Sequence, residues 1–253
     1  MKNTSMGTLA WAEVTGGRLR RSDRLQMVLD AMGIRLDLMV RRLLGTRPDL
    51  AKIDIEQIVI PDTRMAQLAA SACVSNSTVS LANHCMRTYI WGSLLACARK
   101  LKYDAELLYV SSLLHDLGLT SWYQGAVARA GCFAYEGALA SVDLARNDGW
   151  SPQRCEKLGD AICLHMNIRV PVSMGVEAHL LNAGAAADVV GSGLHSIPGQ
   201  TRKRVLAKYP RESIKNELRE AFGRQHDNRP HSRIAFLFEN GFEDLIARAP
   251  FSS

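Results

Sequence analysis

The stretches Leu81-Ala-Asn-His84-Cys-Met-Arg87 and Leu113-Leu-His115-Asp116-Leu-Gly118 decide the expected fold of this chain. Around both of them apolar residues recur at helical spacing, which predicts two successive amphipathic helices. The first helix is predicted over residues 80–101. The second is predicted to begin at an Asp104 cap and to end by Gly118, a natural helix terminator. His115 and Asp116 are therefore expected in the last turn of a helix.

These helices carry two imidazoles and a carboxylate, which are ligands of divalent metal ions. A buried aspartate without a partner is energetically costly. The adjacent pair His115-Asp116 in apolar surroundings therefore predicts a bound ion more strongly than a lone core histidine would. Together with His84 the pair supplies three of the three or four protein ligands that a catalytic metal site uses, and a carboxylate later in the chain is expected to complete the set.

The rest of the chain predicts an all-α protein. Helical patterns or caps mark residues 22–45, 63–73, 135–147, 151–165, 176–190, 211–223 and 231–247. A run of small residues around Gly184 favours close contact between helices. Residues 1–20 have weak periodicity and are interpreted as a mobile arm. The expected division is an N-terminal arm and helical extension over residues 1–55, followed by one helical domain over residues 56–253.

Composition limits the class of protein. The 253 residues are 47% hydrophobic and 22% charged, as in an ordinary soluble domain. No apolar run approaches the roughly 20 residues of a membrane span, and no secretory signal is present. Six cysteines without C-x-x-C spacing favour reduced, buried thiols and a cytoplasmic location. The net charge of +6 is spread along the chain, so nucleic-acid binding is not expected.

The order His84, His115-Asp116 and a distant Asp188 resembles the H…HD…D signature of the HD-domain superfamily of metal-dependent hydrolases. Several surrounding blocks resemble its cyanamide hydratase-like branch, and together they cover about residues 56–195. These blocks are Ile60-Pro-Asp-Thr63, Asn83-His-Cys-Met-Arg-Thr-Tyr89, Leu113-Leu-His-Asp-Leu-Gly-Leu-Thr120, Phe133-Ala-Tyr-Glu-Gly-Ala138, Ala161-Ile-Cys-Leu-His165 and Asp188-Val-Val-Gly191. The resemblance implies an HD-domain helical bundle with His84, His115, Asp116 and Asp188 as metal ligands.

The same resemblance indicates how many ions are bound. Binuclear members of the superfamily have a further histidine four residues before a Gly-Ala pair, and here that position is Phe133. A phenyl ring cannot coordinate an ion, so one divalent metal ion is expected. Zinc is the first expectation, with iron, manganese or nickel as alternatives.

Three functions follow from these motifs. The first is an enzyme that uses a metal-activated water on a small polar substrate, as in nitrile hydration, with His165 as acid or hydrogen-bond donor. The second is hydrolysis of a phosphomonoester such as a nucleoside monophosphate, with Arg87 holding the phosphate. Arg87 has the alternative role of a salt bridge that orients Asp116 or Asp188. The third is a metal-bound regulatory module without catalysis.

Other residues carry weaker expectations. His179 is a minor candidate for the site lining, and Trp91, Trp122 and Tyr123 fit either a small apolar pocket or core packing. Glu136 fits a capping charge. The expected partner is a small-molecule substrate, not a membrane, and the sequence leaves a homo-oligomer open.

Overall fold

A computed structural model of the chain describes residues 4–44, 54–120 and 130–251. All regular structure in these residues is helical, which confirms the all-α prediction. The α-helices are Leu9–Thr15 (α1), Arg21–Leu43 (α2), Arg64–Asn76 (α3), Val79–Ala98 (α4), Ala105–Leu114 (α5), Phe133–Asn147 (α6), Pro152–Leu164 (α7), Val176–Val190 (α8), Gly199–Lys208 (α9), Ile214–Asn228 (α10), Arg233–Glu239 (α11) and Phe242–Ala247 (α12). Trp122 and Tyr123 lie outside the described residues.

The centre of the molecule is the close crossing of α4 and α8. A Cβ atom on Gly184 would lie 2.2 Å from the carbonyl oxygen of Thr88, and one on Gly92 would lie 2.9 Å from the carbonyl oxygen of Leu180. Only glycine permits backbones to approach so closely. The predicted contact through the small-residue run of α8 is thus confirmed. One turn beyond this crossing, His84 and Asp188 meet side by side.

A second close approach holds the turn after α5. A Cβ atom on Gly118 would lie 2.0 Å from the carbonyl oxygen of Phe133, at the start of α6. On the same face of α6, Gly137 lies against this turn, since its Cβ atom would be 3.2 Å from the Gly118 nitrogen. The predicted Asp104 cap is confirmed, because its carboxylate accepts a hydrogen bond from the Leu107 amide. Helix α5 and the turn that follows it are therefore fixed at the start by the Asp104 cap and at the end by the contact with α6.

The predicted mobile arm over residues 1–20 is wrong for the residues that the structure describes. Residues 9–15 form α1, whose Trp11 is 3% exposed and belongs to the same core cluster as helices α4 to α8. The Leu9 amide donates to the Asp160 carboxylate, and the Trp11 indole donates to Asp23. A seven-residue helix is too short to show periodicity in sequence, and it is stabilised here by tertiary contacts.

The C-terminal third also differs from the sequence prediction. Helix α9 is absent from the prediction because it buries only Thr201 and Val205 and most of its other residues are polar. The single helix predicted over residues 231–247 is two helices, α11 and α12. Gly241 separates them with φ +85°, a conformation that ends a helix and favours glycine.

Two further observations concern the chain as a whole. None of the described helices is both long enough and apolar enough to cross a bilayer. All six cysteines are free thiols, and five of them are buried, as the sequence prediction expects.

Candidate metal centre

His84, His115 and Asp116 form one buried group. His84 lies on α4, while His115 and Asp116 follow the last residue of α5, and all three are at most 3% exposed. One ligand atom from each lies within 4.8 Å of the others, so the group could hold a metal ion. The predicted placement of the two histidines beside Asp116 is therefore confirmed.

Two of the distances within the group are compatible with a shared metal ion. Oδ2 of Asp116 lies 3.5 Å from Nε2 of His84 and 3.3 Å from Nε2 of His115. These separations exceed the usual range for an N–H···O hydrogen bond. A tetrahedral ion with bonds of about 2.0–2.1 Å would separate its ligand atoms by roughly 3.3–3.4 Å. The donor set and its spacing therefore suit a small divalent cation.

Local structure orients His115 towards Asp116. Its Nδ1 lies 2.7 Å from the carbonyl oxygen of Ser112, three residues earlier in the same helix. A carbonyl oxygen can only accept, so Nδ1 carries the proton and the Nε2 lone pair is free to bind a cation. Burial lowers the pKa of His115, which favours this neutral form.

His165 repeats this arrangement at the end of α7. Its Nδ1 donates to the carbonyl oxygen of Ile162, again three residues earlier. Its Nε2 faces Oδ1 of Asp116 at 3.8 Å, and its ring centroid is 4.9 Å from that of His115. Burial, with the neighbouring His115, lowers the pKa of His165 to about 3. A neutral imidazole with an accepting Nε2 therefore stands beside the metal-binding group.

The carboxylate of Asp116 is held in its ionised form. Burial opposes ionisation, but the imidazoles of His115, His84 and His165 outweigh it and lower the pKa of Asp116. The result is a negative charge that faces three Nε2 atoms inside the protein. A cation between them would neutralise it.

Asp188 lies on the other side of His84. Its Oδ2 accepts a hydrogen bond of 2.7 Å from His84 Nδ1, so a carboxylate supports the imidazole at the nitrogen that faces away from Asp116. Burial alone would lower the pKa of His84, but the neighbouring carboxylates of Asp116 and Asp188 raise it. A carboxylate that accepts from the non-coordinating nitrogen is the usual support of a metal-binding histidine.

The contacts of Asp188 differ from those expected of the fourth metal ligand. Besides the His84 bond, its oxygens accept from Arg87 Nε at 2.7 Å, Arg87 Nη2 at 2.9 Å and Trp91 Nε1 at 2.9 Å. Arg211 lies 3.3 Å from Oδ1 as well. Each oxygen thus accepts two hydrogen bonds, which leaves little capacity for an ion. The structure instead brings His165, predicted as a catalytic residue, to the group that contains Asp116.

Arg87 forms a salt bridge with Asp188, which was the alternative role predicted for it. It is completely buried, its remaining donor Nη1 bonds the carbonyl oxygens of Tyr209 and Pro210, and it makes a bidentate pair with Asp188. The other weak candidates lie elsewhere or pack in the core. His179 bonds the Val170 carbonyl and Arg99, and Glu136 is paired with Arg229.

Sequence reasoning missed two features of the site. The first is the pair of backbone carbonyls, from Ser112 and Ile162, that orient His115 and His165. Both histidines cap the C-terminus of a helix, where carbonyls lack intrahelical partners, so this signal was present in the sequence. The second is Arg211, which comes from a distant loop and has no local signal. Phe133, predicted to limit the site to one ion, is buried with its ring centroid 5.8 Å from that of His165.

No protein-family model matches this sequence, and no curated protein matches it significantly. Assignment to the HD-domain superfamily therefore stays a prediction that rests on the motifs themselves.

Proposed function

We propose that this protein is a mononuclear metal-dependent enzyme of the HD-domain type that adds water to a small polar substrate, in the manner of cyanamide hydratase. The observation that carries the proposal is the convergence of three oriented Nε2 atoms on the buried Asp116 carboxylate. Such a cluster of like acceptors is costly to bury without a cation.

The residues present fit a single divalent ion. His84, His115 and Asp116 would hold it, with zinc as the first choice and iron, manganese or nickel as alternatives for a nitrogen and oxygen donor set. A bound ion would supply Lewis acidity, which lowers the pKa of a coordinated water towards neutrality. Phe133 gives no ligand for a second ion.

His165 is proposed as the proton carrier. Its Nε2 is unprotonated in the resting protein, because Nδ1 donates to Ile162 and the pKa is lowered to about 3. The free Nε2 can accept a proton from the attacking water because the Asp116 carboxylate, 3.8 Å away, would stabilise the imidazolium. The lowered pKa then favours return of that proton to the nitrogen of a nitrile after the C–O bond has formed. This order assigns His165 as base first and acid second.

A phosphomonoester is less well suited to this site. A phosphate dianion needs cationic donors, and Arg87 and Arg211 are both engaged by the carboxylate or carbonyl groups of residues 188, 209 and 210. Because these guanidinium groups are already engaged, Arg87 no longer supports a nucleotidase. The buried, neutral His165 beside the metal ligands also favours catalysis over a purely regulatory role.

The test is metal analysis followed by a substrate panel. Purified protein is expected to hold about one divalent ion per chain, and to hydrate cyanamide or a small nitrile in a reaction that a chelator abolishes. The panel includes nucleoside monophosphates. Turnover of a nucleotide without hydration of any nitrile would contradict the proposal, and so would full activity after complete removal of metal.

A further inference from the structure

Helix α2 has two opposite faces with different environments. One face lies on the body of the protein through Asp23, Met27 and Asp30, which recur at helical spacing. Asp23 accepts from Trp11, Met27 is fully buried, and Asp30 lies near Arg169. The opposite face is apolar and exposed to solvent.

The exposed face is a regular seam. Its six residues follow one another at intervals of 4, 3, 4, 3 and 4, and each is 54% exposed or more. They are Leu25, Leu29, Met32, Leu36, Met39 and Leu43. At about 100° per residue they lie roughly opposite Met27. An alternation of three and four over nearly three heptads is the pattern by which one helix packs along another.

The area of this face is sufficient for a specific contact. Val28, Val40 and Leu44 extend the seam, and the nine side chains are each 41% to 76% exposed. With about 120 Å² for a fully exposed aliphatic side chain, they expose roughly 600 Å². This is at the upper limit of the apolar patches found on monomers and is close to the ~800 Å² per partner of a stable interface.

Gly33 indicates what covers the seam. It lies at the edge of the exposed face, in the middle of a helix where glycine costs about 1 kcal/mol relative to alanine. A Cβ atom there would meet nothing within 4 Å, so none of the residues that the structure describes explains this glycine. In an antiparallel pair of α2 helices that sets Leu29 against Met39 and Leu25 against Leu43, the two-fold axis passes at residue 34, so that Gly33 of each copy lies beside the axis.

We propose that α2 is the dimerisation helix of this protein, and that a second copy of the chain covers the seam as an antiparallel helix. The pairing is self-complementary, as a two-fold interface requires. A bilayer would not need the alternation of three and four, because an interfacial helix presents a broader apolar face. The proposal does not depend on the enzymatic function.

Sedimentation velocity over a range of concentrations tests the proposal on the full chain. The wild type is expected to be a dimer, and Leu36→Glu is expected to raise its dissociation constant about 100-fold or more, because each interface would contain two unpaired carboxylates. The matched control is Val74→Glu, since Val74 is 68% exposed but lies on α3, away from the seam. This variant should stay dimeric.

A second variant separates pairing from folding. The Gly33→Leu monomer is expected to unfold at a temperature equal to or above that of the wild-type monomer, because leucine favours helix more than glycine does. Its dissociation constant for dimerisation is expected to be at least tenfold higher than that of the wild type. A wild type that is monomeric at 100 µM or so would overturn the proposal, as would a dimer unaffected by either seam variant. Binding of the wild type to anionic phospholipid vesicles, lost in Leu36→Glu without any dimer in solution, would also overturn it.

Discussion

The two aspartates on either side of His84 are both buried and ionised, but their surroundings are different. Asp188 accepts four hydrogen bonds of 2.7–2.9 Å from His84, Arg87 and Trp91. Asp116 faces three imidazole nitrogens at 3.3–3.8 Å. Both carboxylates have a lowered pKa, because neighbouring imidazole and guanidinium groups outweigh their burial. The two carboxylates thus differ less in charge than in acceptor capacity, since Asp188 uses four hydrogen bonds and Asp116 accepts none of normal length from the described residues.

The largest effect is expected from Asp116→Ala. Removal of this carboxylate takes away both the negative charge and one ligand atom, so metal and activity should be lost together. Metal content by mass spectrometry should fall from about one ion to near zero per chain, with the rate at background. Asp143→Ala, at an exposed acid, is the control and should keep the metal. Full metal occupancy in the Asp116 variant would refute the ligand assignment.

His165→Gln is expected to separate catalysis from metal binding. Glutamine can fill the space but cannot carry a proton, so kcat should fall about 10²–10⁴-fold. Metal affinity should change far less, because His84, His115 and Asp116 remain. Steady-state kinetics and a metal titration of the same preparation provide the check. Parallel loss of metal would make His165 a ligand instead of a proton carrier.

Asp188→Asn should affect metal less and stability more than the Asp116 variant. The change leaves buried Arg87 without its counter-charge, which should cost about 3–5 kcal/mol in the free energy of unfolding. Loss of the carboxylate behind His84 should weaken metal binding about 10–100-fold. Urea unfolding in chelator and a metal titration measure the two quantities. If Asp188 were itself a ligand, metal would be lost as completely as in Asp116→Ala.

Gly184→Ala is expected to give the smallest effect on the metal and a clear effect on the fold. The added Cβ atom would clash with the Thr88 carbonyl and force α4 and α8 apart, at a cost of about 1–3 kcal/mol. His84 and Asp188 should separate slightly, so metal affinity should fall by less than tenfold. Gly223→Ala, where a Cβ atom meets nothing within 4 Å, should leave stability equal or higher. An equal loss of stability in both variants would contradict the close crossing.

Helices with a long apolar pattern were predictable, and those held by distant contacts were not. The predicted range 22–45 agrees with α2, and 176–190 agrees with α8 as far as its Gly191 terminator. The predictions failed for α1 and α9, which are short or largely polar. Such helices take their stability from contacts with other parts of the chain, and these contacts leave no local periodicity.

The sequence by itself determined the chemistry of the site: the residue types His84, His115 and Asp116, their places on α4 and at the end of α5, and an all-α architecture. These depend on local spacing and on the cost of burying charge. Only the tertiary structure decided the roles of the remaining groups. It placed Asp188 and Arg87 on the Nδ1 side of His84 and placed His165 beside Asp116, because the packing of α4, α7 and α8 determines which atoms face one another.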